Sequence, residues 1–598
     1  MRTDYDIIVI GGGHAGAEAA WAAANLLRDG GGRVALVTMA AGKIGAMSCN
    51  PAIGGLAKGQ IVREIDALGG LMGQAIDATG IQFRMLNASK GPAVQGPRAQ
   101  ADKYRYAAEV QRLLRTRPNL DILTGTVDDL LVEEGRCVGV AAAPHANAGL
   151  MRVRANAVVL TTGTFMRALM HTGPRTTEGG RVGEGSAVGI SGSLQRLGFA
   201  LGRLKTGTPP RLAAGSIDFD ALELQPGDAV PVPFSDLTPL DRFPVAPQRP
   251  CHITYTNAAI HDAIRANLDR APMYNGQIET TGPRYCPSIE DKVVRFADRD
   301  SHHVFLEPES LDTDEVYCNG ISTSLPADVQ EVMVRNLPGC GRAVILRHGY
   351  AVEYDMVWPH QIDATCMTKV VAGLFLAGQI NGTSGYEEAA GQGLIAGLNA
   401  VRWSRGEELV RLRRDEAYIG VMLDDLVTKT PREPYRMFTS RAEHRLHLRA
   451  DNSDARLTPL GRELGLVDDA RWSAYERRQV MRTDVDRELA ARNGDGLAFV
   501  TEHFERRVVA SVLAERQYAP LMDRQRRDIE RMQASEGQAL PPEMDYVGLP
   551  GLRKEAAATL TKFRPATLGQ AGRLAGVTPA DLMVVSIARR RHLAAAEA

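Results

Sequence analysis

The sequence predicts an α/β fold that is interrupted by an inserted α/β domain and followed by an all-helical C-terminal domain. Three observations predict it. A near-continuous apolar run, residues 5–10, leads through a glycine-rich turn into a long run of helix formers. Two more apolar runs, at 157–160 and 374–377, each end in a turn of small or hydroxylated residues. Beyond about residue 405 the strand signals fade, and charged, helix-forming sequence takes over.

The first run is apolar nearly throughout, as expected of a parallel strand buried on both faces. Gly11, Gly13 and Gly16 follow it with G-x-G-x-x-G spacing, and helix formers run over 14–27. Glycines so placed permit a tight turn and let backbone N–H groups approach a pyrophosphate at a helix N-terminus. The element therefore reads as a dinucleotide site. Residues 33–38 read as the second parallel strand. Such folds often carry an acid at the end of that strand, ~20 residues past the glycines, to hold a ribose hydroxyl. Here Met39 and Ala40 stand there, which argues against NAD in the first loop and leaves FAD. Residues 157–164, and 373–379 with Thr368 before them, resemble the later motifs of two-dinucleotide flavoproteins. Gln379 stands where many of these have an Asp facing the ribityl chain. Gly385 opens a small-residue helix reaching about Val401. Its N-terminus, pointed at the pyrimidine edge of a flavin, would stabilise the negative charge of the reduced ring. The expected architecture is an FAD-binding Rossmann-like domain of the two-dinucleotide flavoprotein type.

Domain boundaries follow from composition. Residues 1–204 read as the first part of the FAD-binding domain. Nine prolines crowd between 209 and 250 and mark 205–275 as an inserted domain or long excursion. Residues 276–404 read as the second part of the FAD-binding domain. Residues 405–540 read as helical, with 475–487 and 518–532 as clear helices. Residues 541–598 form a further helical region beyond Pro541-Pro542.

Bulk properties narrow the function classes. The 598 residues are 44% apolar and 24% charged, with a net charge of −1. A nucleic-acid partner must therefore be held by local basic patches and not by overall charge. No run of eighteen apolar residues is present, so no membrane span is expected. The first strand begins almost at once, which is read as leaving no room for a signal or transit peptide. Seven cysteines without a C-x-x-C pair fit a reduced, cytoplasmic protein and give no zinc or other metal site.

Two cysteines stand apart from apolar stripes. Cys49 lies in Gly45-Ala46-Met47-Ser48-Cys49-Asn50-Pro51, and Cys286 in Gly282-Pro283-Arg284-Tyr285-Cys286-Pro287. A reactive thiol needs access and a lowered pKa, supplied by a nearby cation or a helix N-terminus. Arg284 and Lys292 are candidate cations for Cys286, and Glu290 or Asp291 are candidate proton carriers. Cys137, Cys318, Cys340 and Cys366 read as small buried hydrophobes. Lys90 and Arg98 flank a polar Gly-Pro loop suited to flavin or phosphate. In the stretch 434–449, Arg436, Arg441, Arg445 and Arg449 interleave with Tyr435 and Phe438, a set that can pair with RNA phosphates and stack bases.

Taken together, 47–55, 86–102, 282–296, 319–325, 349–355, 378–393, 434–445 and 565–579 resemble the MnmG (GidA) family over nearly the whole chain. The resemblance implies an FAD-dependent enzyme that adds a carboxymethylaminomethyl group to the wobble uridine of certain tRNAs. It implies NADH, methylenetetrahydrofolate as one-carbon donor, glycine, a homodimer and the GTPase MnmE as partner, contacted by the C-terminal helices. It places FAD on Gly11, Gly12, Gly13, His14, Ala15, Gly16, Val127, Ser186 and Gln379. It places the NAD region on Gly282, Pro283, Arg284, Tyr285, Cys286, Pro287, Ser288, Ile289, Glu290, Asp291, Lys292, Val293, Val294, Arg295 and Phe296. The two cysteines of interest fall on Cys286 and Cys49. Residues 95–97 depart from the family pattern, and Ala519-Pro520 stand where a helical glycine is usual. Other readings weighed are a shorter folate- and FAD-dependent tRNA uridine methyltransferase, a small-molecule flavin oxidoreductase and a non-catalytic flavin-bound partner of a GTPase.

Overall fold

The computed structural model describes residues 3–143, 149–278, 280, 287–430, 433–492 and 495–596. The strands Leu120–Thr124, Val34–Thr38, Tyr5–Ile10 and Met151–Leu160 lie side by side in that order, all parallel, with Leu374–Leu376 added parallel to Met151–Leu160. Arg136–Ala143 and Thr126–Glu133 extend the sheet antiparallel. The apolar continuity of the first strand has a direct cause. Ile7 and Val9 face one core, against the helices, and Ile8 and Ile10 face a second core on the other side, the period-two alternation of a strand covered on both faces.

Two helices cover the first face. His14–Leu27 and Tyr386–Ser404 cross in close contact, through a nearly all-alanine surface on the first and Gly393 and Gly397 on the second. A Cβ on Gly393 would overlap the Ala15 carbonyl oxygen, and one on Gly397 the Ala19 carbonyl oxygen. These glycines are required by the close approach.

A second sheet orders Arg175–Glu178, Leu169–Thr172, Tyr350–Val357 and Leu201–Thr208, all antiparallel. Thr208 leads into a third, antiparallel sheet ordered Glu223–Gln225, Cys251–Tyr255, His303–Pro308, Glu315–Asn319, Arg211–Ala213 and Ile345–Arg347. Its own core includes Ile260, Ile289, Val293, Leu306 and Met333. The excursion therefore runs to about residue 347 and not to 275 as expected, and the chain returns at Tyr350 to pair with Leu201–Thr208 along its whole length. Proline density marked the irregular loops of 226–250. The strands that complete the sheet come from 303–347 and are tied to it only by non-local pairing.

Among the described residues no strand follows Leu376. The expected helices at 475–487 and 518–532 lie within Asp469–Ala491 and Arg506–Glu536. The second runs through Pro520 without a break, so the departure at Ala519-Pro520 is absorbed. Residues 540–588 close over a small core of Leu540, Tyr546, Leu560 and Val585. Arg573 ties this bundle to the rest through Asp424 at 2.7 Å and Glu536 at 2.5 Å. No described helix is long and apolar enough to cross a membrane.

Replacing Gly397 by Val forces branched carbons into the backbone of the facing helix. Overpacking of this kind costs about 1–3 kcal/mol, and more where backbone is struck. Urea denaturation of Gly397→Val should show a loss of about 2 kcal/mol or more.

Candidate active site

Parallel strands end at one edge, so the loops after residues 10, 38, 160 and 376 converge there. They form one wall of a cavity of about 690 Å³. Gly11 has φ +103°, and a Cβ there would strike the Thr161 carbonyl. Gly16 does not line the cavity. A Cβ on it would overlap the Gly11 carbonyl oxygen, so it is the close-packing glycine of the motif. Gly13, the N-cap of the helix, has open space around it, no side-chain cap and no acid in the first turn. The first-turn N–H groups thus face the cavity uncapped, an anion-binding arrangement. Thr162 Oγ1 and His14 Nε2, both on the lining, are buried without a hydrogen-bond partner among the described residues. Met39 and Ala40 line the cavity where an acid is common. Val127 and Gln379 also line it. These features fit the pyrophosphate and ribityl portions of a flavin dinucleotide. His14 stacks between Tyr386 at 4.4 Å and Tyr106 at 5.6 Å, and burial, with Arg181 nearby, pushes its pKa down to about 3, so it lines the site as a neutral ring.

The opposite wall comes from the two antiparallel sheets: Gly207, Thr208, Tyr317, Asn319, Tyr350 and Val352. The cavity therefore lies between the parallel sheet and the excursion. Cys49 sits at this junction, half-buried, with Sγ 3.1 Å from the Tyr317 hydroxyl and its N–H donating to the Tyr386 hydroxyl at 2.8 Å. Arg98 lines the cavity and donates to Glu307 at 2.7 Å. Lys58 bridges Glu387 at 2.9 Å and Glu388 at 3.0 Å in the first turn of the helix Tyr386–Ser404. The Gly54 N–H donates to Glu387 at 2.6 Å, and the Met437 N–H to Glu388 at 3.1 Å. Burial works against the Lys58 ammonium, but Glu387 and Glu388 outweigh it and raise its pKa. The N-terminus expected to face a flavin thus carries two buried carboxylates bridged by one lysine.

The expected site residues do not all meet here. Gly282, Pro283, Arg284, Tyr285 and Cys286 lie outside the described residues. In the remainder of that segment Pro287 and Lys292 line the cavity. Ser288 caps the helix Ile289–Arg295, and Ile289 and Val293 pack into the core of the third sheet. Val294, Arg295 and Phe296 are exposed. Glu290 is buried against the Ser324 N–H at 3.1 Å with its carboxyl pushed up by burial, and Asp291 accepts from the Tyr274 hydroxyl at 3.1 Å. Neither carboxylate lines the cavity, so they are not placed to carry a substrate proton. Ser186 is spent on the Ala168 N–H at 2.8 Å, one residue before the lining Ala187. Lys90 is exposed and away from the cavity. Arg436 and Phe438 line it. Tyr435 is buried and donates to Asp425 at 3.0 Å, so it is not a base-stacking face. Arg441 lies over that ring at 4.5 Å, Arg445 is exposed, and Arg449 is buried on Asp451 at 2.9 Å. Sequence reasoning missed Lys58, Glu387 and Tyr317. Among the described residues no cluster of His, Cys, Asp or Glu is placed to hold a metal ion.

A family model described as glucose inhibited division protein A matches residues 6–408. A second, described as the C-terminal helical bundle of the tRNA modifying enzyme MnmG/GidA, matches 528–597. The chain belongs to the MnmG/GidA family. Among its relatives, the tRNA uridine 5-carboxymethylaminomethyl modification enzyme MnmG of Rhodopirellula baltica is 52% identical, covering 98% of this chain and 93% of that protein. The enzyme of the same name from Syntrophotalea carbinolica is 48% identical over 98% and 99%. The crystal structure of Aquifex aeolicus GidA, form I, superposes with a TM-score of 0.89 at 46% identity, covering 98% of this chain and 99% of that one. The family likeness thus includes the parallel sheet, the excursion and the C-terminal helices alike.

Lys58→Met leaves Glu387 and Glu388 buried without their cation. Breaking such a pair costs about 3–5 kcal/mol. The raised Lys58 pKa places its contribution below the free-lysine value, so the native protein has it in full at neutral pH and loses it only in strong alkali. Urea denaturation of Lys58→Met at neutral pH should show that loss.

Proposed function

We propose that this protein is an FAD-dependent enzyme that adds a carboxymethylaminomethyl group to C5 of the wobble uridine of certain tRNAs. The observation that carries this reading is the 52% identity, over 98% of the chain, to a protein that bears this activity in its name. The cavity supports it, because one wall suits a flavin dinucleotide and a thiol, Cys49, sits where the two walls meet. The reading includes NADH and methylenetetrahydrofolate as co-substrates, glycine as the amino acid donor, a homodimer in the cytoplasm, and the GTPase MnmE docking on the C-terminal helices. Arg436, Arg441 and Arg445 hold the tRNA, with Arg436 at the cavity and Arg445 on the exposed side. Residues 282–296 serve NADH.

Bound FAD supplies the redox chemistry. The uncapped N–H groups of the glycine turn would hold its pyrophosphate, Val127 would touch the dinucleotide, and Gln379 would lie near the flavin. Uracil C5 is a poor nucleophile until a group adds at C6. A cysteine thiolate forms an S–C6 bond and sends the C5=C6 electron pair toward C5 and O4. The glycine nitrogen takes the methylene carbon from the folate as an iminium, releasing tetrahydrofolate, and C5 attacks that carbon while the C=N electron pair moves to the glycine nitrogen. Loss of the C5 proton and departure of the sulfur restore the ring. Cys286 and Cys49 are the two thiols proposed for this role. A wobble base lies in a loop and swings into such a cavity at modest cost.

Nucleoside mass spectrometry of tRNA from cells lacking the protein should show loss of carboxymethylaminomethyl-uridine derivatives. Loss of 5-methyluridine alone would favour the methyltransferase reading, and unchanged tRNA would overturn both. Restoring the gene with Cys286→Ser should leave the modification absent while the purified protein stays yellow.

A further inference from the structure

The cavity-facing side of the third sheet carries more than a tyrosine. Side chains alternate along a strand, so in Glu315–Asn319 the residues Tyr317 and Asn319 share one face while Val316 and Cys318 pack into the core. Tyr317 and Asn319 both line the cavity. Glu307 stands directly across from Tyr317 on the neighbouring strand, so it lies on the same face, and it is buried. The Asn319 amide nitrogen donates to a Glu307 oxygen at 3.4 Å, and Arg98 donates to that same oxygen at 2.7 Å. Arg98 also donates to the Gln100 side chain at 3.0 Å.

This arrangement fixes which way the amide points. A carboxylate paired with a guanidinium accepts hydrogen bonds and has none to give, so it takes the NH2 end of the asparagine and turns Oδ1 away. Burial raises the Glu307 pKa, and Arg98, Asn319 and Asn50 act against burial. Among the described residues no group donates to Asn319 Oδ1, and the residue is only half-buried. The wall therefore offers the cavity an oriented acceptor whose own donor is spent. It stands close to the sulfur: Asn319 is two residues, about 7 Å, along the strand from Tyr317, whose hydroxyl is 3.1 Å from Cys49 Sγ.

Uracil and cytosine differ at the edge that such an acceptor reads. Uracil N3 carries a hydrogen between two carbonyls. Cytosine N3 is a bare acceptor and would set lone pair against lone pair. A flavin ring has the same imide edge as uracil, but the glycine turn, Thr162 and Gln379 form the opposite wall. We propose that Asn319 Oδ1 accepts the N3–H of the wobble base swung into the cavity and so selects uridine over cytidine. This rests on the function proposed above. Enzymes that extrude a base read it through hydrogen bonds to this edge. Glu307 and Arg98 are positioning residues that act through Asn319. Without the carboxylate the amide is free to turn its NH2 group to the cavity and take either base.

The test is binding of one tRNA sequence, made with uridine, cytidine or 3-methyluridine at the wobble position, to the full-length FAD-loaded protein. 3-Methyluridine keeps both carbonyls and loses the N3–H. The native protein should hold the uridine tRNA about tenfold more tightly than either of the others, as one lost hydrogen bond with an unpaired partner requires. Asn319→Ala should bring the three to near equality, with FAD affinity, flavin absorbance and melting curve unchanged. Glu307→Gln should narrow the gap between uridine and cytidine, and if that variant does not fold, Asn319→Ala decides alone. Equal native affinity for the three tRNAs, or an Asn319→Ala protein that keeps the native preference, overturns the proposal. An Asn319→Ala protein that loses FAD and keeps the preference overturns it too and assigns the oxygen to the imide edge of the flavin. A native protein that binds none of the three overturns the function proposed above and this inference with it, whereas equal binding of all three overturns this inference alone.

Discussion

Backbone meets backbone where Gly16, Gly393 and Gly397 stand, and the rest of the molecule depends on that approach. A Cβ at any of the three would overlap a carbonyl oxygen of the glycine turn or the facing helix. Because none is present, the helix His14–Leu27 lies close on the parallel strands and aims its uncapped N-terminus into the space beyond their ends. The second helix, Tyr386–Ser404, seats against the first and brings Tyr386, Glu387 and Glu388 to the same space. The cavity is thus a consequence of how near two helices can come.

A second constraint joins segments that are distant in sequence. Buried carboxylates repeatedly accept N–H groups from loops far along the chain. Glu18 receives Leu71 and Met72, Glu64 receives Tyr418 and Ile419, Asp77 receives Phe234 and Ser235, and Glu387 receives Gly54. Hydrogen bonds to a charged group contribute about 1.5–3 kcal/mol each, yet burial still pushes Glu18 and Asp77 up to about 7. Both groups therefore favour the folded state most when protonated, and that contribution fades as pH rises through 7. Glu64 has the added support of Arg456 at 3.1 Å, which ties the helix Ser453–Glu463 to the body. Such clasps act beside the shared apolar core, in which Ile61, Val62 and Ile65 pack with Ile419, Met422 and Leu426.

Local elements were legible in the sequence and non-local ones were not. The first strand and helix fall on Tyr5–Ile10 and His14–Leu27 as read, because apolar continuity, glycine spacing and helix propensity all act within twenty-odd residues. The end of the excursion was missed because the strands 303–347 join Cys251–Tyr255 only through pairing that no local pattern records. The arginine–aromatic stretch was legible as a cluster of charge. Its sorting was not: Tyr435 turns inward to Asp425 while Arg436 and Phe438 turn to the cavity. Cys49 was legible from its turn setting. Its partner Tyr317 lies 268 residues away in an ordinary strand sequence, and nothing around it distinguishes it from a core tyrosine.

The two walls divide the chemistry by the kind of group each can supply. A parallel sheet edge offers backbone N–H groups and a helix N-terminus, which suit a phosphate and need few charged side chains. An antiparallel excursion, one face of which is open to the cavity, can place alternate side chains along a strand. Tyr317 faces the cavity in this way while its neighbours Val316 and Cys318 point into the core of the third sheet. Neither wall alone carries both an anion cradle and a thiol with its phenol. Assembly of the two, through strands Leu201–Thr208 and Tyr350–Val357 at the junction, is what brings an anion cradle and the Cys49 thiol into one volume.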